Sequence, residues 1–113
     1  MIDFRRIAFL ALSMLVFGIA HDHPASADPA KLELGKKVFS ELAEPKCGLC
    51  HSLADAGANG GIGPSLDGLK PDAERVKAAV VNGIGIMPAF ESLTETQVDA
   101  VAFYVSNVAG QTK

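Results

Sequence analysis

The string Cys47-Gly48-Leu49-Cys50-His51 constrains this chain more than any other feature. Two thiols stand about one helical turn apart, and an imidazole follows the second at once. A group of that kind is built to hold something, and the rest of the chain shows why it must. The first 27 residues look like a removable leader. Ile7 to Ala20 is apolar except for Ser13 and Gly18, with Arg5-Arg6 before it and Ala25-Ser26-Ala27 after it. A basic start, a short apolar run and an A-x-A ending read as a secretory signal peptide, residues 1–27, cleaved after Ala27. The run falls short of the roughly 20 apolar residues that span a bilayer, which disfavours an uncleaved anchor. The arginine pair alone is weak ground for a twin-arginine route, so the general secretory route is preferred.

What remains, residues 28–113, is a single small domain of 86 residues. It keeps eight basic and eleven acidic residues, so its net charge stays at −3. That excludes a generic nucleic-acid binder, which carries a basic excess. No polybasic patch is present for anionic lipid, and no stable membrane insertion is expected after cleavage. Only four aromatic residues survive cleavage, Phe39, Phe90, Phe103 and Tyr104. A core that thin usually needs a staple. One histidine, His51, and one methionine, Met87, remain beside the two cysteines.

A C-x-x-C pair can be a thioredoxin-like redox couple, but that requires a βαβ setting, and Ser40 to Lys46 contains no strand run. A structural zinc site needs four ligands, and the mature chain has no second histidine and no third cysteine. A plain disulfide suits an exported protein but leaves His51 without a purpose. The C-x-x-C-H spacing is that of covalent c-type haem attachment. Each thiol adds to one vinyl group of a flat macrocycle, and the adjoining imidazole lies under the iron. Haem c, covalently bound through Cys47 and Cys50, is therefore the expected cofactor.

The second iron ligand follows by elimination. Met87 lies 36 residues after His51, in Gly83-Ile84-Gly85-Ile86-Met87-Pro88-Ala89-Phe90. The glycines would let backbone approach a flat ring, and Pro88 stiffens the position holding the thioether. A core methionine is the plainer alternative. His/Met ligation raises the potential of a haem, which suits an electron carrier. A metal-bound histidine usually donates its other ring N–H to an oxygen acceptor. A carbonyl in the Gly63-Pro64 turn is a candidate; an ordinary turn is the competing reading. The candidate cofactor-binding residues are thus Cys47, Cys50, His51, Pro64 and Met87, with His51 and Met87 on the metal.

The periodicity predicts three helices. The first spans about Pro29 to Leu42, with Leu32, Gly35 and Phe39 at helical spacing. The second spans about Pro71 to Asn82, closed by Gly83. The third spans about Glu95 to Val108, opened by a Thr94/Gln97 capping box, with Val98, Val101, Ala102 and Val105 on one face. Ala54 to Gly63, with four glycines and an asparagine, reads as loop, as does Ile84 to Phe90. Strand signals are almost absent. The expected fold is all-α, with long loops that wrap something.

These residues together resemble the class I cytochromes c, of the small bacterial periplasmic kind, over Ala30 to Val108. Gly35-Lys36-Lys37-Val38-Phe39 is similar to the family's N-terminal helix motif. Cys47 to His51 matches the haem motif, Gly63-Pro64-Ser65-Leu66 the proximal turn, and Met87-Pro88 the distal loop. Val101 with Tyr104-Val105 matches the C-terminal helix. The resemblance implies the cytochrome c fold, three main helices and long loops around one covalent haem, with Gly35 and Phe39 meeting Val101 and Tyr104 where the terminal helices cross. The link Ser40 to Lys46, with Pro45, is longer than the family's usual one. Leu42-Ala43-Glu44-Pro45-Lys46 and Ala54-Asp55-Ala56-Gly57-Ala58 resemble, more narrowly, cytochromes that partner periplasmic sulfite dehydrogenases.

The function implied is that of a monomeric periplasmic one-electron carrier, not an enzyme. A periplasmic dehydrogenase would be its donor, and a terminal oxidase or another cytochrome its acceptor. A fixed haem subunit of a larger oxidoreductase is one alternative. A small peroxidase or gas-binding haem protein is another, but it needs an open iron position, which Met87 argues against. Lys36, Lys37 and Lys46 form either a small docking patch or simply solvated charges.

Overall fold

The computed structural model describes residues 27–111. The expected signal peptide lies outside them, apart from Ala27. Helix α1 (Pro29–Lys37) starts where the Asp28 carboxylate accepts the main-chain N–H groups of Ala30 and Lys31, at 3.0 and 3.3 Å. Satisfying orphan donors in this way is what an N-cap does. The rod continues without a break into a π-helical turn, Val38–Leu42, closed by the Ala43 N–H on the Val38 carbonyl at 3.0 Å. The helix expected over 29–42 is present, with a widened last turn.

A 3₁₀ turn at Cys47–Leu49 carries the cysteine pair. Strands β1 (Ser52–Leu53) and β2 (Ala58–Asn59) then pair antiparallel, with Ser52 opposite Asn59 and Leu53 opposite Ala58. A 3₁₀ turn, Ala54–Ala56, joins them. Part of the segment read as loop is therefore ordered by a two-residue ladder, too short for any periodicity to show. A one-turn helix the sequence reading did not separate, α2 (Leu66–Leu69), follows Ser65, whose hydroxyl accepts the Gly68 N–H at 3.3 Å. Helix α3 (Ala73–Asn82) begins two residues later than Pro71, because Asp72 takes the N-cap position and accepts the Arg75 N–H at 2.8 Å. Helix α4 (Glu95–Val108) has the expected limits, and both halves of the Thr94/Gln97 capping box form. Among the described residues the fold is all-α as expected, with four helices where three were read and a minimal β element. Among the described residues, no helix is long and apolar enough to cross a membrane.

Helix α4 is the spine. Val98, Val101, Ala102 and Val105 are buried along it, as the pattern predicted. It packs against α3 on one side and α1 on the other. At the α1 crossing the backbones meet at Gly35, where a Cβ would strike the Ala100 carbonyl oxygen and the Tyr104 Cβ. The closest approach is thus at Ala100, one residue before the Val101 expected there, while Val101 sits in the same buried core. One turn on, the Phe39 and Tyr104 rings meet edge to face with centroids 6.1 Å apart. The Tyr104 hydroxyl donates to Asp55 Oδ2 at 2.6 Å. Burial first, and then Asp55, push the Tyr104 pKa well above the ordinary phenol value, so it remains a donor at neutral pH. On the surface between α3 and α4, Lys77 Nζ meets Asp99 Oδ1 at 2.6 Å, and this bond holds the Asp99 carboxyl below its usual range. An exposed pair of this kind adds little stability.

The crossing makes a direct prediction. Gly35→Ala forces a methyl into backbone, and overpacking of that kind costs about 3 kcal/mol. Denaturant unfolding of the haem-loaded variant should show a lower midpoint with an unchanged slope. A midpoint equal to the parent's would mean the helices can separate at no cost.

Candidate haem site

The 3₁₀ turn decides where the motif points. Cys47 carbonyl accepts the N–H groups of both Cys50 and His51, at 3.2 and 3.0 Å. That tight turn brings Cys47, Cys50 and His51 to the wall of one cavity of about 590 Å³. Gly63, Pro64 and Met87 line the same cavity. All five residues singled out from the sequence therefore converge. Phe39, Leu66, Val76, Val80, Phe90, Val101 and Val105 supply apolar wall from four helical segments and the distal loop.

His51 is held from behind. Its Nδ1 lies 2.8 Å from the Pro64 carbonyl oxygen. A carbonyl only accepts, so Nδ1 is the donor, which in the neutral ring leaves the lone pair on Nε2. Of the carbonyls in the Gly63-Pro64 turn, it is that of Pro64 that stands within hydrogen-bonding distance of the imidazole. The turn itself is tied to the motif by the Gly63 N–H on the Cys50 carbonyl at 2.7 Å. A Cβ on Gly63 would stand 2.6 Å from His51 Cε1, so the backbone there rests against the imidazole face and leaves room for no side chain.

Met87 is placed by a hairpin turn. Ile84 and Met87 exchange both main-chain hydrogen bonds at 3.0 Å, and the Phe90 N–H donates to the Val80 carbonyl of α3 at 2.9 Å. Gly85 takes the first central position of the turn with φ 57°, a place that favours glycine. Gly85 thus serves the turn itself, whereas Gly83, which closes α3, lines the cavity. Met87 is half-buried against the core, and Pro88 beside it is exposed.

The donor set fits a c-type haem. Both cysteines are free, and burial pushes the Cys47 thiol pKa up to about 11, so it is protonated at neutral pH. An imidazole nitrogen with its lone pair available, a thioether and two thiols share one apolar cavity. Two features escaped the sequence reading. Arg75 is on the cavity wall, which its one-residue offset from Val76 on α3 could have signalled. Lys36 is not a spare surface charge: its Nζ donates to the Asp55 carbonyl at 2.8 Å and stands 3.4 Å from the Asp55 carboxylate. Of the three lysines, only Lys46 lines the cavity, and Lys37 lies outside it.

The sequence model of the family described as "Cytochrome C oxidase, cbb3-type, subunit III" matches residues 30–105. The chain belongs to this family of class I c-type cytochromes. A cytochrome c6 from Gloeothece citriformis (strain PCC 7424) is 34% identical over 104 residues, which cover 88% of this chain and 89% of that one. A cytochrome c6 from Leptolyngbya boryana is 35% identical over 80 residues, 66% of this chain and 89% of that one. Among solved structures, the c-type cytochrome SorU from Sinorhizobium meliloti is 61% identical, with a TM-score of 0.73 over 74% of this chain and 97% of that one. The cytochrome is accordingly an electron carrier and not an enzyme, and haem c is its cofactor.

Without haem the cytochrome has a cavity in place of the centre of its core. Cys47→Ala with Cys50→Ala should therefore leave a poorly folded chain. Near-ultraviolet circular dichroism and thermal scans check this. A cooperative, native-like transition in the haem-free double variant would refute it.

Proposed function

We propose that this cytochrome is an exported, periplasmic one-electron carrier whose iron is held between His51 and Met87. One observation carries the ligand assignment. The Pro64 carbonyl takes Nδ1 as its donor, which in the neutral ring leaves Nε2 as the nitrogen for a metal, in the same cavity that Met87 lines. The bound haem supplies a one-electron ferric/ferrous couple. The chain's own residues do the rest. Cys47 and Cys50 anchor the ring, Pro64 keeps His51 in one orientation, and the Ile84–Met87 turn presents the thioether. The apolar wall would keep water from the iron. One electron enters from a donor and the same electron leaves to an acceptor, with no bond made or broken in the polypeptide.

Residues 1–27 are read as the signal peptide and 28–113 as the cytochrome domain. The fold supports that boundary, since a cut after Ala27 leaves Asp28, the N-cap of α1, in place. Protein recovered from periplasm should have the mass of residues 28–113 plus one haem. A mass that includes residues before Asp28 would count against the cut and for a retained anchor.

The donor is read as a periplasmic dehydrogenase, specifically a sulfite dehydrogenase, on the resemblance carried by Leu42 to Lys46 and Ala54 to Ala58. The acceptor is read as another cytochrome or a terminal oxidase. The description of the matching family as an oxidase subunit favours a second reading, a fixed haem subunit of a larger oxidoreductase. Size exclusion of native periplasm separates the free carrier from the subunit.

Met87→Ala tests the ligand pair. The variant should open one face of the iron, lower its potential and bind carbon monoxide or azide, which the parent resists. No other thioether or second imidazole remains in the mature chain to take its place. A parent that binds carbon monoxide readily at neutral pH, or a variant with unchanged spectrum and potential, would overturn the assignment.

A further inference from the structure

Three hydrogen bonds join the segment that carries His51 to the turn that carries Pro64. The Gly63 N–H donates to the Cys50 carbonyl at 2.7 Å. His51 Nδ1 lies 2.8 Å from the Pro64 carbonyl oxygen. The Ala54 N–H donates to Asp67 Oδ2 at 2.8 Å. Cys50 and Gly63, His51 and Pro64, and Ala54 and Asp67 are each 13 residues apart. Residues 50–54 and 63–67 therefore run side by side in the same direction, in a single register.

The first of these bonds is backbone to backbone, and the second uses the imidazole itself. The third comes from a side chain, Asp67, that does not line the haem cavity. Leu53 and Leu66 share the buried core across the same two segments, but apolar burial is non-directional and sets no register. Asp67 can set one because its own place is fixed twice. It stands in the first turn of α2, whose start Ser65 caps, and its Oδ1 accepts the Gly110 N–H beyond α4 at 2.8 Å. From His51 along the chain to Ala54, across to Asp67, back to Pro64 and across to His51, the path closes on itself. The approach of the imidazole to its acceptor is thus governed from the far end of the run by Asp67.

We propose that Asp67 is a positioning residue which, by holding Pro64 in register with His51, sets how strongly the imidazole donates its Nδ1 proton and hence the potential of the haem; this rests on His51 being the iron ligand. An imidazole that donates through one nitrogen is the more basic ligand through the other. A more basic ligand favours the ferric state, which carries one more positive charge than the ferrous. Without the Asp67 carboxylate the Pro64 carbonyl can draw back, His51 becomes the poorer donor to iron, and the potential rises. Loss of the negative charge raises the potential as well, by electrostatics alone. The Nδ1 proton separates the two causes, because only the first moves it.

The test uses haem-loaded wild type, Asp67→Ala, Asp67→Asn and, as a variant destabilised elsewhere, Gly35→Ala. The potential is measured for each, and the His51 Nδ1 proton is followed by NMR in the ferrous protein. In Asp67→Ala its resonance should move upfield and its exchange with solvent should quicken about tenfold, the scale of one hydrogen bond, while the potential rises. Asp67→Asn loses the charge but keeps one carbonyl oxygen. It should fall between in both readouts, and it takes the place of Asp67→Ala if that variant fails to assemble. Gly35→Ala should keep the wild-type resonance. A resonance in Asp67→Ala that matches wild type, or moves no further than in Gly35→Ala, overturns the proposal whatever the potential does. A resonance that moves while the potential stays at the wild-type value overturns it too. The wild-type spectrum keeps this apart from the ligand assignment. His51 ring protons without the shift that a haem ring current imposes would strike the ligation of His51 itself, before any Asp67 variant is compared.

Discussion

The crossing of α1 and α4 at Gly35 is the contact from which the rest of this cytochrome is hung. Because no side chain separates the backbones there, Phe39 is carried up against Tyr104, and both are buried. Phe39, Val101 and Val105 then form one wall of the haem cavity from two helices at opposite ends of the chain. Helix α3, packed on the other side of α4, contributes Val76 and Val80 to the same cavity. This domain does not fill its own centre with side chains. It builds a rigid frame from three helices and leaves the centre to a cofactor.

Residues whose local chemistry dictates their role were legible in the sequence. The capping box at Thr94 and Gln97, the valine stripe of α4 and the Cys47–His51 string each follow from spacing alone. The Pro64 carbonyl followed from the rule that a metal-bound imidazole usually donates its other N–H to an oxygen. What was hidden depends on contacts far apart in sequence. Nothing near Asp55 announces that it receives the Tyr104 hydroxyl, 49 residues away, or that Lys36 closes over it. The β1–β2 ladder is equally silent, since two-residue strands have no period. The start of α3 was misplaced because Pro71 and Asp72 both suit a helix start, and only the structure shows which of them is the cap.

The two loops around the cavity are ordered by different means. The distal loop carrying Met87 is held locally, by its own turn and by one bond to α3. The proximal side is held by groups from across the fold, including Asp55 on α4 and α1 and Pro64 on His51. The histidine thus sits in the more heavily braced half of the site, and the methionine in the half that can be altered with less effect on the frame.

Asp67 extends that bracing to the end of the chain. One of its carboxylate oxygens accepts the Ala54 N–H and the other the Gly110 N–H, each at 2.8 Å. A single side chain on α2 therefore clamps the segment just beyond His51 to the residues just beyond α4. Mechanically this closes a ring, so the two ends of a stretch more than 50 residues long cannot drift independently. The cost of moving an electron includes whatever the surroundings must rearrange when the charge at the iron changes. A proximal segment clamped in this way has few soft directions in which to relax, so a carboxylate that never touches the haem motif would help to limit the reorganisation energy once haem is bound.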